Sequence, residues 1–131
     1  MQTFVMIKPD AVRRGIVGEI ISRFENRQFS IVKMRTHCCS AQDAEELYAE
    51  HKGKDFYDSL VDFTVLGPVV VMILERHDAV NVARILIGSA NQPGTIRADF
   101  ADVNPYNCVH GSDSYAAFLR ESSIFFQTDE T

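Results

Sequence analysis

Short runs of apolar and β-branched residues alternate along the chain with stretches whose apolar positions recur at helical spacing. Thr3–Ile7 is a strand-like run that Lys8-Pro9 stops. From Val17 to Asn26, Ile20, Ile21 and Phe24 share one side against polar residues, which predicts an amphipathic helix. Ile31–Cys38 alternates as a second strand. Ser40 stands as an N-cap with Asp43 behind it, opening a helix through Tyr48 and His51. Phe56, Leu60 and Phe63 predict another short helix, broken by Gly67-Pro68. Val69–Glu75 is the most apolar strand. Asp78 is placed to cap a helix in which Val80, Ala83, Leu86 and Ile87 share a face. Gly88–Thr95 reads as a loop, and residues 98–106 as irregular chain with a turn at Asn104-Pro105. Cys108–His110 predicts a fourth strand, and Ser112 or Asp113 caps a last helix reaching about Glu121.

The order β-α-β-α-α-β-α-β-α predicts an α+β fold, a ferredoxin-like split β-α-β sandwich whose four-stranded antiparallel sheet is covered by helices. A doubly wound parallel sheet is the competitor, but the strands are few and no Gly-rich turn follows Thr3–Ile7. The 131 residues suit one domain, with 126–131 as a loose polar tail. The longest apolar run, Val69–Leu74, is far short of the ~20 residues that span a bilayer, and the N-terminus lacks a signal-peptide pattern. A net charge of -5 argues against a general nucleic-acid binder. It leaves room for an anion pocket, because a few local cations suffice for one. The three cysteines are odd in number and two are adjacent (Cys38, Cys39, Cys108), so a disulfide framework is not expected. A reducing cytoplasm is the expected location. The four histidines show no zinc-ligand spacing with cysteine, so no structural metal is expected either.

The candidate chemistry centres on residues 107–114, Asn-Cys-Val-His-Gly-Ser-Asp-Ser. A histidine held at a strand end beside a glycine turn can be presented into a cleft as a nucleophile. Neutral imidazole attacks without prior deprotonation, while its other nitrogen needs an acceptor that fixes the tautomer. For His110 that acceptor is either Glu121 or a backbone carbonyl. Arg84, Arg97 and Lys8 are candidate cations for a polyphosphate, since the guanidinium fork donates two parallel hydrogen bonds to phosphate. Tyr48, Phe56 and Leu60 are either plain core or a hydrophobic clamp for a base. Neither a P-loop nor a Rossmann glycine pattern is present, so phosphate binding would have to rely on side-chain cations.

Lys8-Pro9-Asp10-Ala11, Leu66-Gly67-Pro68-Val69, the run Pro93 to Phe100 (Pro-Gly-Thr-Ile-Arg-Ala-Asp-Phe) and His110-Gly111-Ser112-Asp113-Ser114 together resemble the nucleoside diphosphate kinase family. The resemblance implies ping-pong transfer of the γ-phosphate of a nucleoside triphosphate, ATP among them, through a phosphohistidine on His110. It implies that Glu121 holds the imidazole, that Ser112 steadies Glu121 and that Tyr48 lies beside the histidine. It also implies that Lys8, Arg84 and Arg97 bind phosphates, that Asn107 and Lys8 read the sugar, and that Phe56 and Leu60 clamp the base. Asn104 falls near the base, and Asp113 near a Mg2+ carried mainly by the nucleotide phosphates. Nucleoside di- and triphosphates and further copies of the chain are the implied partners. Ala90 falls where the family carries a phosphate-binding threonine, with Ser89 as the alternative hydroxyl. Two other readings accompany this one: a non-catalytic nucleotide-binding or interaction module on the same fold, and a nucleic-acid binder using the sheet face.

Overall fold

The computed structural model describes residues 1–101 and 107–126. A four-stranded sheet in the order β2-β3-β1-β4 organises it, with β1 at Gln2–Ile7, β2 at Ser30–His37, β3 at Val69–Glu75 and β4 at Val109–Gly111. Every neighbouring pair is antiparallel, with Val5 opposite both Met72 and Gly111, and Met6 opposite His110. This is the α+β sandwich that the element order predicts.

β1 and β3 are buried on both faces, which explains their nearly continuous apolar sequences. Val5, Ile7, Met72 and Leu74 point to one core, where they meet Ile20 and Phe24 of α2 (Val17–Glu25) and Ala83 and Leu86 of α5 (Ala79–Ile87). Phe4, Met6, Val71 and Ile73 point to the other. They meet Leu47 of α3 (Ala41–Leu47), Tyr48, and Phe118 and Phe125 of α7 (Tyr115–Phe125). Helices thus cover both faces, leaving neither face of the central strands open. Among the described residues no helix is long and apolar enough to cross a membrane.

Several local expectations are corrected. Pro9 does more than stop β1: it takes the first position of a short helix, α1 (Pro9–Arg13), where its missing N–H is not needed. Residues 96–100 form α6 (Ile96–Phe100), capped by Thr95, whose Oγ1 accepts from the Ala98 amide at 3.2 Å. Ser40 and Asp43 do make the expected capping box. Asp78 sits at the cap position of α5 in a left-handed conformation (φ 54°). Its carboxylate accepts from Asn81 Nδ2 instead of a backbone amide. The cap of α7 is Ser114, whose Oγ accepts from the Ala117 amide at 3.0 Å, and neither Ser112 nor Asp113 takes that role. α7 continues past Glu121 to Phe125. The expected turn at Asn104-Pro105 and residues 127–131 of the expected tail lie outside the described residues, whereas Phe126, counted with that tail, is buried against the core beside Phe125.

Candidate active site

The end of β1 lies beside the start of antiparallel β4, and the chemistry gathers there. At the end of β1, Lys8 is 3% exposed and its Nζ donates to Asn107 Oδ1 at 2.7 Å. The Lys8 amide donates to the carbonyl of Cys108 at 2.9 Å, tying the two chain segments together. Just before β4 the Val109 amide donates back to the Asn107 carbonyl at 2.8 Å, closing a γ-turn about Cys108 (φ 63°). A left-handed non-glycine residue is strained and persists only where its surroundings hold it. Here the buried Cys108 fixes Asn107 on one side and His110 on the other.

His110 presents its ring from β4 with the side chain 17% exposed. Nε2 lies 3.0 Å from Glu121 Oε1, and Nδ1 has no hydrogen-bond partner among the described residues. Ser112 Oγ donates to the same Glu121 oxygen at 2.7 Å. Arg120 approaches the other oxygen at 3.5 Å. Glu121 is only 2% exposed, and burial pushes its carboxyl up. The hydrogen bonds from His110 and Ser112, with the charges of His110 and Arg120, outweigh burial and hold it below the usual glutamate range. A buried carboxylate that stays ionised is suited to fixing an imidazole tautomer and steadying positive charge on it. Tyr48 meets the His110 ring edge-on at 5.8 Å and forms its wall. The tyrosine hydroxyl is buried, and burial pushes the phenol above its ordinary value of 10.0, against a smaller opposing contribution from Thr64.

The sequence around His110 suggests a glycine turn, but Gly111 lies within β4. A Cβ there would stand 2.6 Å from Ile87 Cδ1 of α5, so a side chain at this position would oblige Ile87 to shift. The missing side chain lets α5, which carries Arg84, pack directly against the histidine strand. Arg97, on α6, donates through its two terminal nitrogens to the carbonyls of Gly88 (3.3 Å) and Val109 (2.9 Å), while its buried Nε has no partner among the described residues.

Burial, and then the charge of Arg97, bring the Lys8 amine down to about 7, against smaller opposing contributions from Asp10 and Cys108. Asp10 is itself buried, and no side chain among the described residues bonds its carboxylate. Burial pushes its carboxyl above the usual range.

These side chains open on one cavity of about 590 Å³. Lys8, Arg84, Arg97, Asn107, His110, Asp113 and Glu121 line it together with Tyr48, Phe56 and Leu60. Phe56 is the N-cap residue of α4 (Tyr57–Thr64) and is half exposed, as a stacking surface requires. Ser112 stands behind Glu121 and does not line the cavity. Sequence reading missed Glu50, His51 and Ser59, which also line it. Their only signal is position between Tyr48 and Leu60, in the segment that forms the outer wall. Neither Ser89 nor Ala90 is among the described residues that line the cavity. Asn104 lies outside the described residues.

Comparison with known proteins gives one consistent answer. The family model for nucleoside diphosphate kinase matches residues 1–131. The nucleoside diphosphate kinase of Methanocaldococcus jannaschii is 47% identical, over 98% of this chain and 95% of its own length. That of Saccharolobus solfataricus is 48% identical, over 98% of this chain and 96% of its own. Among solved structures, a halophilic nucleoside diphosphate kinase from Halobacterium salinarum in complex with CDP superposes with a TM-score of 0.94 at 40% identity, covering 99% of this chain and 90% of the other. The Aquifex aeolicus nucleoside diphosphate kinase superposes at 0.92 with 32% identity, covering 97% of this chain and 95% of the other. By these matches the chain, whose β4 histidine sits within the strand against a buried carboxylate at a cation-lined cavity, belongs to the nucleoside diphosphate kinase family and is a phosphotransferase.

Proposed function

We propose that the chain transfers the γ-phosphate of a nucleoside triphosphate to a nucleoside diphosphate in two half-reactions, with His110 carrying the phosphate between them. In the first, the Nδ1 lone pair attacks the γ-phosphorus, an N–P bond forms, and the bond to the β-phosphate oxygen breaks to release a nucleoside diphosphate. In the second, a terminal oxygen of another nucleoside diphosphate attacks the same phosphorus, and the N–P electron pair returns to the ring. One observation carries this reading: Glu121 engages Nε2, which leaves Nδ1 as the nucleophilic nitrogen.

The proton stays on Nε2, facing Glu121, and the carboxylate stabilises the positive charge that the ring gains on phosphorylation. Ser112 keeps the Glu121 oxygen in place. Lys8, Arg84 and Arg97 set positive charge around the transferring group, which is most of what phosphoryl transfer asks of a protein. Asn107, paired with Lys8, is suited to a sugar hydroxyl, and Phe56 with Leu60 to the base. Stacking on a ring tolerates any base, so broad base acceptance follows. Glu50 and Asp113 are both exposed carboxylates of the cavity without a hydrogen bond among the described residues, and Glu50 is ion-paired with Arg120 at 3.8 Å whereas Asp113 has no such pairing among them. One free carboxylate fits a Mg2+ held chiefly by the nucleotide phosphates, a cation that would neutralise charge on the β- and γ-phosphates. We also expect copies of the chain to associate, because edge strand β2 leaves Val32 and Met34 41% and 50% exposed. Three unpaired thiols support placing the chain in a reducing cytoplasm.

Initial rates with both substrates varied test the reading. Parallel double-reciprocal lines are expected, with a loss of at least ~10³-fold in His110→Ala. Intersecting lines, or an active His110→Ala, would overturn it.

A further inference from the structure

We propose that His37, Cys39 and Asp43 form a site for a divalent cation of the zinc class, separate from the nucleotide cavity. One ligand atom from each residue lies within 4.8 Å of the other two. None of the three lines the cavity.

The fold assembles what sequence spacing did not reveal. β2 ends at His37, and the chain then turns through Cys38, Cys39 and Ser40 into α3. The Ser40–Asp43 capping box draws the Asp43 carboxylate back over that turn, with the Ser40 amide donating to Oδ2 at 3.1 Å. His37 Nε2 stands 2.9 Å from the same oxygen. Cys39 turns inward and is buried, whereas Cys38 faces solvent. The Cys39 sulfur and Asp43 Oδ1 make no hydrogen bond among the described residues, so both are available as ligands. The imidazole is seated by Phe125 of α7, edge-on at 5.4 Å.

Zinc–ligand bonds of about 2.0–2.3 Å need only a side-chain adjustment of about 1 Å from this arrangement. Thiolate, imidazole and carboxylate together suit zinc, whereas Mg2+ prefers oxygen ligands alone, so the nucleotide's cation does not compete. On binding, the thiol proton leaves to solvent, the Nε2 proton of His37 is exchanged through solvent for one on Nδ1, and Nε2 and the Asp43 carboxylate each bond the metal in place of their hydrogen bond. Three protein ligands leave a fourth position for water. The bound ion would fasten the end of β2 and the start of α3, with His37 braced on α7.

The test titrates nucleotide-free protein with Co2+ and then Zn2+. The expected result is one equivalent of Co2+ with an ultraviolet thiolate-to-cobalt band, its displacement by Zn2+, and a Tm raised by roughly 5 °C. Cys39→Ser should abolish the band and Cys38→Ser should leave it. Asp43→Asn, which keeps an acceptor for the Ser40 amide, should weaken Co2+ binding by roughly 10–100-fold. Phosphotransfer should persist in every variant and so report the fold. Absence of the band, a band that survives Cys39→Ser, or one lost with Cys38→Ser would overturn the proposal. If Cys39→Ser fails to fold, unchanged Co2+ affinity in both His37→Gln and Asp43→Asn would overturn it instead.

Discussion

Lys8 Nζ donates to Asn107 Oδ1 at 2.7 Å, joining the end of β1 to the approach to β4 deep in the cavity wall. The amine is brought down to about 7 there, from 10.5 in an unfolded chain. The folded, nucleotide-free protein therefore binds fewer protons than the unfolded chain between those values. Its stability should rise with pH across that window, and the contribution should be absent below about 7. A nucleoside diphosphate brings negative charge to the amine and favours its protonated form. Binding should thus take up a fraction of a proton near neutral pH, roughly one half if the midpoint is at 7. Calorimetry in two buffers of different ionisation enthalpy measures this, and uptake of zero would contradict it.

Glu121 has a different sensitivity. Its carboxyl is held below the usual range, so its stabilisation is present above the ordinary glutamate value of 4.5 and lost as pH falls through the lowered folded value. Glu121→Gln keeps an acceptor but removes the charge. It should lower kcat by roughly 10²–10⁴-fold with little change in KM, and it should flatten the acid limb of the stability curve. Ser112→Ala, which only loosens the carboxylate, should reduce kcat by about tenfold. Equal effects on kcat and KM in Glu121→Gln would place the residue in substrate binding instead.

Gly111 and Ile87 make a packing pair. Gly111→Ala pushes a methyl group toward Ile87 Cδ1, which would lie 2.6 Å away. The expected destabilisation is about 1–3 kcal/mol. Ile87→Val removes that carbon and should recover part of the loss, so denaturant unfolding of the double mutant should show coupling between the two sites. Additive effects would mean that the surroundings take up the added methyl without displacing Ile87.

What the sequence made legible follows the range of each interaction. The Ser40–Asp43 capping box and the apolar run of β3 are local, and both stand where the pattern puts them. α1 and α6 span five residues each, too short for periodicity to register. Ser112, Asp113 and Ser114 are all competent caps. Which one caps is decided by Glu121, which takes Ser112 for itself. The acceptor for His110 stayed open for the same reason, because it depends on where α7 starts and how it lies on β1. The family motifs named the residues of the cavity wall. They carried no information on Glu50, His51 or Ser59, which reach it through the turn after α3 and the first turn of α4.

The most direct test is to incubate the protein with γ-labelled ATP, digest it and identify the phosphorylated atom. The predicted result is one acid-labile, base-stable phosphate on Nδ1 of His110 that passes to added nucleoside diphosphate. A phosphate on Nε2 or on another residue, or transfer with no covalent label, would contradict the account.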